Sequence, residues 1–471
     1  MLNPIPEMVA GRRVTPRGCH LLPTSYHCPP AWMRDASYWM ELMQSMYMSW
    51  ALIITDGDSV LEQCETDNFG KISPVELLLR HGIIPIVRDS TDCLRKNAHY
   101  TNRDNMRKLV PIYAEHGMKP FVKVLNEAGN NREWCGGDVP NDWFEISTNY
   151  WMEAARQLTD DGCIVGYPDA PSFDLDMNPF IESNGCRDLW ENGLAFFASH
   201  PYAKGRVPAY PYDDVTQNGT PLTWDEYMGL LDDLAYMTDE HGNILYEDGK
   251  PVLNKQWVEE PLELINLRRE QLKSPGLTAV QDDTCWRAWE RTLWHAEQAS
   301  LDSFTLPMVL AEGGWAPRDR PGTGPNTDIR MPHTTPKRIA QYTLETLELP
   351  DNPYFANCFW LLADGDMTNQ YDVGWPYDAW HTWAYEDTWD QETGKQYGRK
   401  KPVIWALQNT PPQTGHYDGF RWVKESTCPW TKVRELVEHI QDTSPPRACG
   451  VNFPVQPNLP LAEQALHAHV G

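Results

Sequence analysis

Met118-Lys-Pro-Phe-Val-Lys-Val-Leu-Asn-Glu-Ala-Gly-Asn130 is an apolar run that stops at an adjacent amide and acid, Asn126 and Glu127. Phe121, Val122 and Val124 give it the aromatic and β-branched character of a strand covered on both faces, as in a parallel sheet wrapped by helices. Such a strand delivers two polar side chains at its C-terminal end, where parallel barrels carry out their chemistry. A second stretch repeats the pattern. Thr305-Leu-Pro-Met-Val-Leu-Ala-Glu312 runs apolar to one carboxylate and is followed by Gly313-Gly314-Trp315. In a closed barrel, two strand ends this far apart in sequence can face each other across one pocket.

The chain around these stretches repeats one junction: His81-Gly82 before Ile83, His116-Gly117 before Met118, Asp161-Gly162 before Cys163, and Asn192-Gly193 before Leu194. Each reads as a helix that ends on a C′ glycine and turns into a buried strand. The spacing predicts strands at 18–23, 49–56, 83–88, 119–127, 163–168, 193–200, 305–312 and 354–363. It predicts helices at 30–47, from Ser73-Pro74 onward, at 283–303 and at 429–441. Eight strands alternating with helices predict a (β/α)8 TIM barrel over 14–445. An open doubly wound sheet is the runner-up, but no G-x-G-x-x-G or Walker loop follows any strand. An insertion at 206–282, with a hairpin signal at Asp248-Gly249, is expected to form a subdomain over the barrel mouth. Residues 446–471 form a tail that packs outside the barrel or frays. His81 and His116 suit the last helical turn, where a cation favours the macrodipole, better than a metal site.

Composition narrows the partners. The 471 residues carry 66 acids against 40 Lys and Arg, a formal charge of −26. That balance repels a phosphate backbone, so nucleic acid is not an expected partner. No apolar run approaches the roughly 20 residues of a membrane span. Residues 1–13 show no secretory leader, so the chain is expected to be cytoplasmic or exported by another route. Eleven cysteines form no C-x-x-C pair, and those in apolar strands, such as Cys163 and Cys358, read as reduced, buried thiols.

Two carboxylates at barrel strand ends are what glycosidic cleavage requires: one protonates the leaving oxygen, and the other attacks or activates water. Asn126, directly before Glu127, can donate to a sugar hydroxyl. On these residues the chain resembles the clan A glycoside hydrolases, retaining (β/α)8-barrel enzymes with Asn-Glu ending strand four and Glu ending strand seven. The resemblance spans residues 18 to about 363. It implies Glu127 as general acid and base, Glu312 as nucleophile, and Asn126 as a contact to the 2-hydroxyl. It also implies His200 or Tyr202, in His200-Pro-Tyr202, as a partner of Glu312, and Trp360 as the floor of the sugar site. The clan often supplies an Arg from strand two, but here that strand ends in Thr55-Asp56 and the nearest Arg is Arg88 on strand three. Either Arg88 takes that place or the strand count is off by one.

Trp134, Trp315, Trp375 and Trp380 follow strand ends and could stack on sugar rings, and Trp315 is carried as a substrate contact. The expected partner is therefore a carbohydrate, with neither cofactor nor metal. Two alternatives stay open. One is a glycan-binding barrel without turnover. The other is a metal-dependent hydrolase drawing on Asp56 and His200, although His20 stands alone on strand one where such a site would want His-x-His.

Overall fold

A computed structural model describes residues 4–21, 35–55, 57–90, 94–130, 137–168, 187–203, 306–315, 336–349, 352–363 and 399–425, with shorter pieces at 33, 133–135, 208, 237, 245–247, 249–252, 286–289, 292–293, 296, 300–302, 380–382, 389–390 and 395–396. Eight parallel strands close into a barrel in chain order. They are β1 (Arg17–His20), β2 (Trp50–Thr55), β3 (Ile84–Asp89), β4 (Phe121–Val124), β5 (Ile164–Pro168), β6 (Ala195–Ser199), β7 (Met308–Leu310) and β8 (Tyr354–Phe359). Each lies within one of the predicted stretches or at most one residue outside it. Around them run α1 (Ala36–Ser45), α2 (Pro74–Arg80), α3 (Arg103–Met106), α4 (Leu109–Ala114), α5 (Trp143–Asp160), α6 (Arg187–Glu191), α7 (Pro336–Glu348) and α8 (Pro402–Asn409).

The barrel is filled from its even strands. Trp50 of β2, Phe121 of β4, Phe196 of β6 and Phe355 of β8 form one layer, with ring centroids 5.3 Å apart for Trp50–Phe121 and 5.7 Å apart for Phe121–Phe355. Phe355 also meets Trp50 and Phe196, so the four rings touch across the lumen. Rings this large fit because the odd strands give way. A Cβ at Gly166 on β5 would stand 2.5 Å from the Phe196 ring, and one at Gly18 on β1 would stand 2.9 Å from Trp50 Cβ.

All four predicted αβ joints are observed. Gly82, Gly117, Gly162 and Gly193 have φ between 63° and 100°. At each, the glycine N–H and the following N–H donate back to two carbonyls of the last helical turn, as in Gly82 to Leu79 and Ile83 to Leu78. This is the Schellman arrangement. α2 opens on a capping box between Ser73 and Glu76 with Pro74 in its first turn.

Below the barrel the chain departs from expectation. The stretch after β8, read as loop until a helix at 429–441, contains α8 and a hairpin pairing Gly415–Asp418 with Arg421–Lys424. Tyr417 of that hairpin accepts from Trp50 Nε1 at 3.3 Å and donates to the Phe355 carbonyl at 2.6 Å, closing the end of the barrel beneath the aromatic layer. The helix at 429–441 and the tail 446–471 lie outside the described residues. Most of 206–282 does as well, although Tyr246–Glu247 and Lys250–Pro251 pair as the Asp248-Gly249 signal predicts. Cys19, Cys64, Cys163 and Cys358 are buried free thiols. Cys135 departs from the reduced pattern, being disulfide-bonded. Among the described residues, no helix is long and apolar enough to cross a membrane.

Candidate active site

Because every strand is parallel, all eight C-terminal ends open on one face, and the polar residues at those ends converge there. Glu312 stands two residues beyond β7 with its side chain 7% exposed. Arg88, near the end of β3, donates from Nη1 to Glu312 Oε1, and Tyr202 donates its hydroxyl to Oε2 at 2.8 Å. The strand count stands, and the arginine that meets Glu312 comes from the third strand. Gly313 makes the approach of Tyr202 possible. At φ 133° its α-carbon lies so close to Pro201 that a Cβ would be 2.6 Å from the Pro201 carbonyl oxygen. Tyr202 pairs there with Gly314 as a parallel bridge.

Glu127 follows β4 after Leu125, a non-glycine residue held at φ 64°, where the chain turns out of the strand. Its side chain is 24% exposed, more open than Glu312. Oε1 lies 2.9 Å from His200 Nδ1, and Oε2 accepts from Asn130 at 3.2 Å. One oxygen of Glu127, one of Glu312 and a ring nitrogen of His200 lie within 4.8 Å of one another. Asn126 donates to Glu133 Oε1 at 3.1 Å, and its Oδ1 accepts from Lys123 at 3.2 Å.

The two acids differ electrostatically. Burial pushes the Glu312 carboxyl up, but His200, Arg88, His20 and Lys123 more than reverse this and hold it well below the usual carboxylate range. Burial likewise raises Glu127. Burial is the largest single influence there, but the His200 hydrogen bond, the field of that ring and Asn130 together outweigh it and the opposing Glu312, so Glu127 also ends below its ordinary value. Like-charge repulsion from Glu312 raises Glu127, yet it is not the deciding influence.

Sequence reasoning missed three residues of this pocket. His20, at the end of β1, is fully buried, 3.8 Å from Glu312 Oε1 and edge-on to Trp360 with centroids 4.7 Å apart. Burial above all pushes it down to about 3, so it is neutral at ordinary pH. As a lone histidine in the sequence it carried no signal. Glu133 sits in the loop after β4, and burial raises its carboxyl against the pull of Arg88, Asn126 and Lys123. Lys123 lies inside β4, where the alternation of Phe121 and Lys123 against Val122 and Val124 could have placed it on the lumen side.

The aromatic expectations divide. Trp360, directly after β8, stands against the His20 ring beside Glu312. Trp315 is buried, stacked on Trp286 at 5.5 Å and tilted against Tyr342, so it packs instead of offering a face to a sugar. Trp134 is buried, donating to the Ala128 carbonyl at 2.8 Å, and Trp380 is buried against Phe359. Trp375 and Asp56 lie outside the described residues.

No family model and no curated protein matches the chain. Solved structures that it resembles include glycoside hydrolases. A GH39 enzyme from Xanthomonas axonopodis pv. citri is 14% identical, with 84% of this chain aligned to 65% of that one at a TM-score of 0.40. A monomeric beta-xylosidase from Caulobacter crescentus CB15 is also 14% identical, over 86% of this chain and 69% of that one, at 0.41. AbfB, a family 51 alpha-L-arabinofuranosidase from Bifidobacterium longum, is 8% identical over 90% and 80%, at 0.41. The chain thus spans slightly less than two thirds of the first of these. Likenesses this distant say nothing of activity, which has to be argued from the site.

Glu127, His200 and Glu312 also offer three ligand atoms to a metal ion. The donor set does not suit one. Arg88 already holds a Glu312 oxygen, and Lys123 Nζ stands 2.8 Å from His200 Nε2. A divalent ion would enter against two fixed cations and displace the hydrogen bonds that order all three ligands.

Proposed function

We propose that the chain is a retaining glycoside hydrolase acting on an oligo- or polysaccharide. Glu312 is the nucleophile and Glu127 the general acid and base. The observation that carries this reading is the approach of the two carboxylates to within 4.8 Å, oxygen to oxygen. That is the close spacing of direct attack, whereas inverting enzymes hold the pair ~6.5–9.5 Å apart to admit a water. The division of roles follows from the surroundings. Glu312 is the more buried and is kept ionised by the fields of His200 and Arg88, as a nucleophile must be. Glu127 is the more open, able to reach a leaving oxygen.

In the first step a Glu312 oxygen bonds to the anomeric carbon while Glu127 gives its proton to the departing glycosidic oxygen. In the second, Glu127 takes a proton from water, whose oxygen displaces Glu312 from the same carbon and restores the original configuration. Asn126 contacts the 2-hydroxyl and Trp360 floors the sugar site. The charge of −26 favours neutral over polyanionic glycans.

Azide tests the assignment on an activated aryl glycoside. Glu312→Ala should lose turnover by several orders of magnitude and regain it with azide, releasing a glycosyl azide of inverted configuration. Glu127→Ala leaves the nucleophile in place, so azide intercepts the glycosyl-enzyme and the product is retained. Wild-type turnover in Glu312→Ala, or rescue of neither variant, overturns the assignment. One feature favours a second reading, a barrel that binds glycans without turnover: His200 holds Glu127 ionised when a general acid should keep its proton. Binding across a glycan panel with no product released selects that reading.

A further inference from the structure

Lys123 has no exposed surface, although it is a charged residue in the middle of a barrel strand. It lies two residues beyond Phe121 and so points, like that ring, into the lumen. Its Nζ stands 2.8 Å from His200 Nε2 and 3.2 Å from Asn126 Oδ1. An apolar side chain of the same length would fill this place without the cost of burying an ammonium. Glu133 and Glu312 both feel its charge and offset that cost.

What the cation adds is direction. An ammonium has donors and no acceptor, so His200 Nε2 must be an unprotonated acceptor. The ring proton then sits on Nδ1, 2.9 Å from Glu127 Oε1, and is donated to that carboxylate. The same logic turns Asn126: its oxygen faces Lys123, which leaves its Nδ2 for Glu133 Oε1 at 3.1 Å. A ring tautomer and an amide orientation, two choices that heavy-atom positions alone leave open, are decided by one buried group.

We propose that Lys123 is a positioning residue, fixing the Nδ1–H tautomer of His200 and the orientation of the Asn126 amide so that both address the substrate pocket in a single arrangement. It touches neither reacting atom and acts through these two neighbours. Its kinetic consequence rests on the glycosidase reading above, while the tautomer does not.

Nitrogen NMR of the full chain with 15N-labelled histidine tests it. The chain has 14 histidines, and subtracting the spectrum of His200→Gln identifies the resonances of His200. The expected result is a protonated Nδ1 and an unprotonated Nε2 in the wild type. In the singly protonated ring, a proton on Nε2 overturns the proposal, and this needs no variant at Lys123 to fold. In Lys123→Met the two nitrogens should exchange character or average, and kcat should fall on the order of 10²-fold with KM changed much less, as for a misplaced catalytic group. Lys123→Arg keeps the donors and should keep the wild-type tautomer. Unchanged ring shifts in Lys123→Met would likewise overturn the assignment. If no glycoside is turned over by the wild type, the glycosidase reading fails while the spectrum still decides the role of Lys123.

Discussion

Of the two carboxylates Arg88 bonds Glu312, whereas His200 bonds Glu127 and also acts on Glu312, and that difference can be read from the pH dependence of kcat/KM. Double displacement needs Glu312 ionised and Glu127 protonated in the free enzyme. Both carboxyls lie below the ordinary 4.5. Activity should therefore be greatest in acid, falling as pH rises through the Glu127 value and falling again only where acid protonates Glu312. Arg88→Met removes the cation on Glu312, whose value rises, so chiefly the acidic limb should move up. His200→Gln removes the donor to Glu127 and with it the foremost lowering influence on Glu312, so both the alkaline and the acidic limb should move up. The profiles need a substrate with a poor leaving group, since only that demands the proton of Glu127. An unmoved alkaline limb in His200→Gln would mean that another group sets it. At this scale the sequence revealed the residues that end strands. Asn126, Glu127, Glu312 and Arg88 each close an apolar run, and the run fixes where they point. It concealed Lys123, because a lysine inside a strand carries no mark of which neighbours its ammonium will meet. His20 was equally silent, since its importance lies in a contact with the end of a strand far along the chain.

Elements were legible where a local rule fixes the backbone. The His-Gly, Asp-Gly and Asn-Gly joints gave β3, β4, β5 and β6 their starts because a Schellman turn needs only a few adjacent residues. The segment after β8 was opaque for the opposite reason. α8 and the 415–424 hairpin are held by contacts with α7, β2 and β8, and their many aromatic and polar residues show no clean period. Two glycines, one on β5 and one just beyond β7, separate packing from function. Gly166→Ala sets a methyl 2.5 Å from the Phe196 ring in the lumen. Overpacking of this kind costs about 1–3 kcal/mol, so the melting temperature should fall while kcat in the folded enzyme changes little. Gly313→Ala instead meets the Pro201 backbone and a left-handed φ beside Glu312. Tyr202 would be pushed from its 2.8 Å contact, and kcat should fall at least tenfold even at temperatures where the variant is fully folded. Thermal melts and steady-state kinetics on both variants check the contrast, and an equal loss of kcat in the two would erase it.

The whole molecule divides its labour between the two ends of the barrel. Chemistry-bearing side chains gather where the strands finish, and the opposite end is closed by residues that join the beginning of the chain to its later part. There Arg13 donates to the Gly415 carbonyl, Lys424 donates to the carbonyls of Leu347 and Leu349, and Tyr417 links Trp50 to Phe355. Burial raises the Tyr417 phenol well above its ordinary value, so it stays a neutral donor across the working range. Tyr417→Phe deletes one oxygen and leaves the Phe355 carbonyl and the Trp50 indole N–H without that partner inside the barrel. An orphaned buried polar group costs about 1–3 kcal/mol. Stability should therefore drop by that order in urea or thermal unfolding. The site on the other face is separated from Tyr417 by the aromatic layer of Trp50, Phe121, Phe196 and Phe355, so kcat, KM and both limbs of the pH profile should stay at their wild-type values. A Tyr417→Phe protein that remains folded but shifts either limb would show that the closed end and the open end are coupled through that layer, and the division of labour would fail.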